Sequence, residues 1–116
     1  MKKKKQQKNY LDLIPMRDAA LVWTRDDEGI VVLEVENTGA FNRIAQKLFK
    51  RPRVTKVHME KYGSFLWPLI DGRRTVMELA DLQKEQFGEE VEPVYPRVVK
   101  YMQIMESYHF IAFKNK

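Results

Sequence analysis

The side chains that carry most enzymatic chemistry are sparse in this chain. It has two histidines, His58 and His109, and no cysteine. Neither histidine has a His or Glu four residues on, the spacing at which a helix turns two ligands toward one metal ion. Each reads as a structural or surface histidine. Without thiols there is no disulfide framework, thiolate metal site or sulfur nucleophile. No Ser or Thr lies in a nucleophile-elbow sequence. No Gly-rich phosphate loop is present, and Gly72 and Gly88 read as helix stops. These residue types point to no enzyme, no metal site and no cofactor.

Charge offers a second kind of chemistry. The net charge of +5 looks like a footprint for nucleic acid. Yet Lys2, Lys3, Lys4, Lys5 and Lys8 supply five of the 21 basic residues, which leaves 16 basic against 16 acidic residues in the remainder. That Lys run reads as a solvated tail over residues 1–9, with a binding arm as the alternative. A second basic concentration holds Arg43, Lys47, Lys50, Arg51, Arg53, Lys56 and Lys61 against Glu60 alone. It is either one solvated face with a loop, or a frame of positive charge for an acidic peptide, an acidic partner or phosphate. The stretch that would read DNA in a helix-turn-helix carries Glu89, Glu90 and Glu92 instead. Carboxylates there oppose phosphate rather than releasing counterions.

The elements that must position such groups follow from periodicity. A chain of 116 residues, 44% apolar and 11% aromatic, can bury one core. Residues 10–116 are expected to form that single domain. The longest apolar runs fall short of a membrane span, and no apolar segment follows the basic start, so a cytoplasmic location is the simplest expectation. Residues 19–25 suit a strand. Asp26-Asp27-Glu28-Gly29 reads as a turn, and residues 30–36 as its partner strand, with Val31, Leu33 and Val35 on one face and Glu34 and Glu36 on the other. Phe41, Ile44, Ala45, Leu48 and Phe49 recur at helical spacing. Residues 54–59 return to alternation, with Thr55, Val57 and Met59 on one face and Val54, Lys56 and His58 on the other. Lys56 and the flanking Pro52 suit a sheet edge.

A helix opening near Glu60 contains Trp67, and Pro68 should kink or stop it. Asp71-Gly72 breaks the run. Thr75 and Glu78 then form a capping box: the hydroxyl accepts from the N–H of Glu78 while the carboxylate reaches back to the N–H of Thr75. The helix that follows places Val76, Leu79, Ala80, Leu82 and Phe87 near one side, and Gly88 ends it. Pro93 is expected at the first position of a last helix reaching about Tyr108. Its Val94, Tyr95, Val98, Val99, Tyr101, Met102, Ile104, Met105 and Tyr108 cover roughly 220° of circumference. So wide a stripe either touches two layers or leaves a flank for a partner. Residues 110–113 form a small final strand or simply pack.

Trp67, Leu69-Ile70-Asp71-Gly72, Arg74-Thr75-Val76 and Glu78-Leu79-Ala80 together resemble the PqqD-like family, named for pyrroloquinoline quinone biosynthesis protein D. The family pattern passes almost directly from its second strand to its third, so the helix at 41–49 reads as an insertion. The expected architecture is α+β and winged-helix-like, a small antiparallel sheet packed on a three-helix bundle with an extra inserted helix. The resemblance implies a peptide chaperone, a recognition element for ribosomally made, post-translationally modified peptides. Such a module presents a precursor peptide to a modifying enzyme, often of the radical SAM type, and needs no cofactor. The physical mode is strand addition at an open sheet edge beside a helix. The edge would be Val54, Thr55, Lys56, Val57, His58 and Met59. Arg97, Tyr101 and Ile104 would supply the groove wall, in preference to Tyr95 and Val99. The alternative reading is a nucleic-acid-binding or transcription-related winged helix using the basic 43–61 segment and the Lys tail, and a third is a protein–protein adaptor.

Overall fold

In chain order the elements are β1 (Pro15–Arg17), β2 (Val22–Arg25), β3 (Val31–Glu36), β4 (Val54–His58), α1 (Lys61–Leu66), α2 (Val76–Phe87), α3 (Val94–Ser107) and β5 (Ile111–Phe113). The computed structural model describes residues 9–36 and 54–116. The helix expected at 41–49, the Lys run and most of the basic 43–61 segment lie outside them. The fold is α+β. Two antiparallel sheets are present instead of the single one expected: β2-β3-β4, and a smaller β1-β5 pair.

Side chains close the local turns. The Asp26 carboxylate accepts from the N–H groups of Glu28 at 2.9 Å and Ile30 at 3.0 Å, which sets the β2–β3 hairpin. The strand expected from residue 19 starts only at Val22, because Asp18 turns the chain first by accepting from the N–H of Ala20. β1 is too short for alternation to announce it. It pairs with β5 on one side and is closed on the other by the Ile70–Gly72 backbone, where Arg17 N donates to Ile70 O and Gly72 N to Pro15 O.

The helices end for the reasons their residues give. α1 stops at Leu66 and tightens into a 3-10 turn over Trp67–Leu69, so Pro68 sits where no α-helical donor is demanded of it. Thr75 caps α2, and both halves of the capping box form: Thr75 N to Glu78 Oε1 at 2.8 Å and Glu78 N to Thr75 Oγ1 at 3.1 Å. Gly88, at φ 69°, ends α2 and leads into a 3-10 turn to Val91. Pro93 is the N-cap of α3, one residue before the position expected of it.

The core lies between the inner face of the larger sheet and the three helices. Leu33, Leu66, Trp67, Ile70, Leu79 and Met102 are fully buried in it. Each aliphatic side chain so buried contributes about 1.5–3 kcal/mol of transfer free energy. Trp23 on β2 meets Trp67 edge to face at 6.4 Å, which ties that strand to the end of α1. On α2 the buried line is Val76, Leu79, Ala80 and Gln83. Leu82 and Phe87, expected on that side, are only half-buried. No helix among the described residues is long and apolar enough to cross a membrane.

Candidate functional site

β4 stands at the border of the larger sheet, paired to β3 alone among the described strands. Its register sets Val32 opposite His58, Leu33 opposite Val57, Glu34 opposite Lys56 and Val35 opposite Thr55. Just past the strand, Met59 N donates to Val31 O at 2.9 Å. In an antiparallel ladder hydrogen-bonded pairs alternate with pairs that are not. Thr55, Val57 and Met59 therefore direct their backbone groups toward β3. Lys56 and His58 direct theirs outward, and make no backbone hydrogen bond on that side among the described residues. From Lys56 onward the side chains divide by the same alternation, whereas Thr55 is exposed. Val57 is half-buried against the core and Met59 is buried, whereas Lys56 and His58 are exposed on the outer face.

The three residues chosen on α3 have different surroundings. Tyr101 is the linking one. Its hydroxyl donates to Gly63 O at 3.2 Å and lies 3.5 Å from Met59 Sδ, so α3, α1 and the end of β4 meet at one side chain. Burial raises its pKa above the ordinary phenol value, and the nearby Glu60 charge adds to the rise. The close approach needs Gly63: a Cβ there would stand 2.8 Å from Tyr101 Cε1. Arg97, one turn earlier, is exposed and donates to the carbonyl oxygens of Glu90 and Glu92 at 3.4 and 3.3 Å. Ile104 is 40% exposed and does not line the cleft that the other two share. The rejected Tyr95 is exposed, its hydroxyl donating to Asp81 at 2.7 Å, and Val99 is half-buried.

That cleft has a volume of about 90 Å³ and lies just beyond the end of β4, where Arg97, Val98 and Tyr101 of α3 face Glu60 and Gly63. Its floor includes Gln83 of α2, which is only 4% exposed. Sequence reading missed this residue. The signal was there: Gln83 falls seven residues after Val76, on the helical stripe that also holds Leu79 and Ala80, so a polar group occupies a core position.

The carboxylates before α3 are engaged. Glu90 accepts from Tyr62 Oη at 2.6 Å and pairs with Lys61 at 3.2 Å, and these two contacts hold its pKa below the usual carboxylate range. Glu92 pairs with Lys84 and accepts from Val94 N at 3.1 Å, which lowers its pKa in the same way. Lys61, the last of the basic 43–61 segment, is committed to Glu90 and to the ring faces of Tyr62 and Phe87 at 5.1 and 5.5 Å. His58 lies on β4 and His109 in the turn between α3 and β5. Among the described residues no group of three His, Asp or Glu side chains could hold a metal ion.

These features define a small α+β protein with a sheet border running into a cleft between helices. Residues 29–111 match the family described as coenzyme PQQ synthesis protein D (PqqD), which is most of the chain, and the chain belongs to that family. No curated protein and no solved structure matches it.

Proposed function

We propose that this chain is a non-enzymatic peptide-binding module of coenzyme PQQ synthesis type, which presents a ribosomal precursor peptide to a modifying enzyme of the radical SAM class. The peptide adds as a strand along β4 and continues toward Tyr101 and Arg97. The single observation that carries this reading is the outward direction of the Lys56 and His58 backbone groups, at a border two residues from the cleft. Family membership supports it. Main-chain bonding supplies affinity in such a mode, and pockets for alternate side chains supply selectivity.

The test is a fluorescence titration with a labelled peptide from a short reading frame neighbouring the gene, against the wild-type chain, Lys56→Ala and Lys56→Pro. Alanine removes a charge, whereas proline also removes the outward donor. One lost hydrogen bond corresponds to about tenfold in Kd. The proline variant is expected to bind about tenfold more weakly than the alanine variant, with unchanged circular dichroism. Equal affinities for two folded variants would refute strand addition. A duplex oligonucleotide that binds with a steep salt dependence instead would favour the nucleic-acid reading. The ion-paired carboxylates before α3 speak against that reading.

A further inference from the structure

The cleft beyond β4 has a chemistry of its own at its floor. Gln83 is buried, and its Nε2 donates to Tyr62 O at 3.2 Å. Its Oε1 accepts no hydrogen bond among the described residues. A side-chain amide carries two N–H donors and an acceptor oxygen with two lone pairs. After the bond to Tyr62, one donor and the acceptor remain. Leu66, Val91 and Val98 give the cleft apolar walls, and Arg97 and Glu60 lie at opposite signs on its lining. A volume of about 90 Å³ open to water-sized spheres exceeds the roughly 10–15 Å³ that one water needs on the same measure, so a short side chain fits.

We propose that this cleft is a subsite for a carboxamide side chain, Asn or Gln, of the bound peptide, with the Gln83 amide pairing to it donor against acceptor and acceptor against donor. This rests on the strand-addition reading for the peptide's approach. Glu60, two residues past His58, lines the cleft, so a peptide that runs on past His58 in the direction of β4 heads toward it. A carboxamide presents one donor and one acceptor in a plane, which matches what Gln83 still offers. A carboxylate lacks the donor, and a hydroxyl engages both atoms only through bent, weaker hydrogen bonds.

Two measurements test this. In the first, the isotope-labelled full chain is titrated with propionamide and with 2-butanone, which has the same shape but no N–H. Propionamide is expected to shift the Gln83 side-chain amide and the Gly63 and Val98 backbone amides saturably. Butanone should do so about tenfold more weakly. Val91→Leu, which fills the cleft with carbon, should abolish both responses. Equal responses to the two compounds, or none to propionamide, would overturn the subsite. In the second, precursor-derived peptides with each Asn or Gln replaced in turn by Leu are titrated against the wild-type chain and Gln83→Met. One replacement is expected to weaken binding about tenfold on the wild type and to have no effect on a folded Gln83→Met. If peptides bind with the expected Lys56→Pro sensitivity but no such position exists, the subsite falls and strand addition stands. If propionamide enters and no peptide binds, strand addition falls and the carboxamide site remains.

Discussion

Arg17 donates to the carbonyl oxygen of Trp67 at 3.1 Å, across 50 residues of chain. The same Nη1 reaches Pro68 O at 2.9 Å and Ile70 O at 3.2 Å, and the guanidinium lies 5.6 Å over the ring of Trp23. One half-buried side chain thus adds a charged donor to three carbonyls at the tightened end of α1, where Trp67 O also accepts from Ile70 N and Ile70 O from Arg17 N. It also connects the smaller sheet to the larger one through Trp23. Replacement by Met is expected to cost about 2 kcal/mol, since hydrogen bonds from a charged donor contribute more than neutral ones. Lys should recover only part of this, because an ammonium lacks the planar fork. Urea denaturation measures both. A Met variant as stable as the wild type would show that the contact is incidental.

Gly63 and Tyr101 form a second tight junction. Gly63→Ala should destabilise the protein by about 1–3 kcal/mol, the usual cost of overpacking. Most of that should vanish when Tyr101 is Leu, because the ring that the new methyl strikes is then absent. A double-mutant cycle reads the coupling directly. Additive losses would mean that the strain lies elsewhere in α1.

Tyr10 carries a hydroxyl that is buried without a partner among the described residues. Burial, then the charge of Glu106, pushes its pKa up to about 12. The folded value lies above the unfolded one of 10.0. The stability linked to this group is therefore whole below pH 10 and falls as pH rises from there toward 12. Tyr10→Phe should raise stability near neutrality by about 1 kcal/mol, by removing an unsatisfied polar atom. It should also flatten the alkaline decline. Thermal melts across that pH range decide it, and an unchanged alkaline slope would assign the decline to other tyrosines.

The Thr75 cap has a simpler expectation. Thr75→Ala removes the hydroxyl that accepts from Glu78 and should cost about 1 kcal/mol. Thr75→Asp should retain most of the stability, because a carboxylate can cap the same N–H. Amide exchange at Glu78 should accelerate in the alanine variant alone.

How much of this could be read from residues depended on how local each cause was. Thr75 with Glu78, Pro68 and Gly88 act within one turn of chain, and the structure places the helix ends where those residues put them. The alternation at 54–59 located β4 because its inner face, with Val57 and Met59, packs on the core. β5 was legible as one of the two alternatives for residues 110–113, but its partner β1 was not. The strands of this pair are three residues each, Pro15 opens one of them, and the bonds that lock the pair join distant parts of the chain, as when Asn115 Oδ1 accepts from Ile14 N across 101 residues. Gln83 escaped notice for a different reason: a polar residue on an apolar stripe reads as an interruption until its neighbours are known. The wide stripe on α3 divides in the structure. Val94, Val98 and Met102 are buried, while Tyr95, Ile104 and Tyr108 are exposed.

The two-residue rhythm of β4 has a consequence for any guest that lies along it. Hydrogen bonds are offered only at every second position, so a visiting chain can dock in steps of two and never of one. A single-step slip would turn every inward side chain of the guest toward water. An inserted or deleted residue in a peptide ligand should therefore be felt far more than a substitution, and a pair of insertions should partly cancel. The border would measure spacing in its guest before it measured identity.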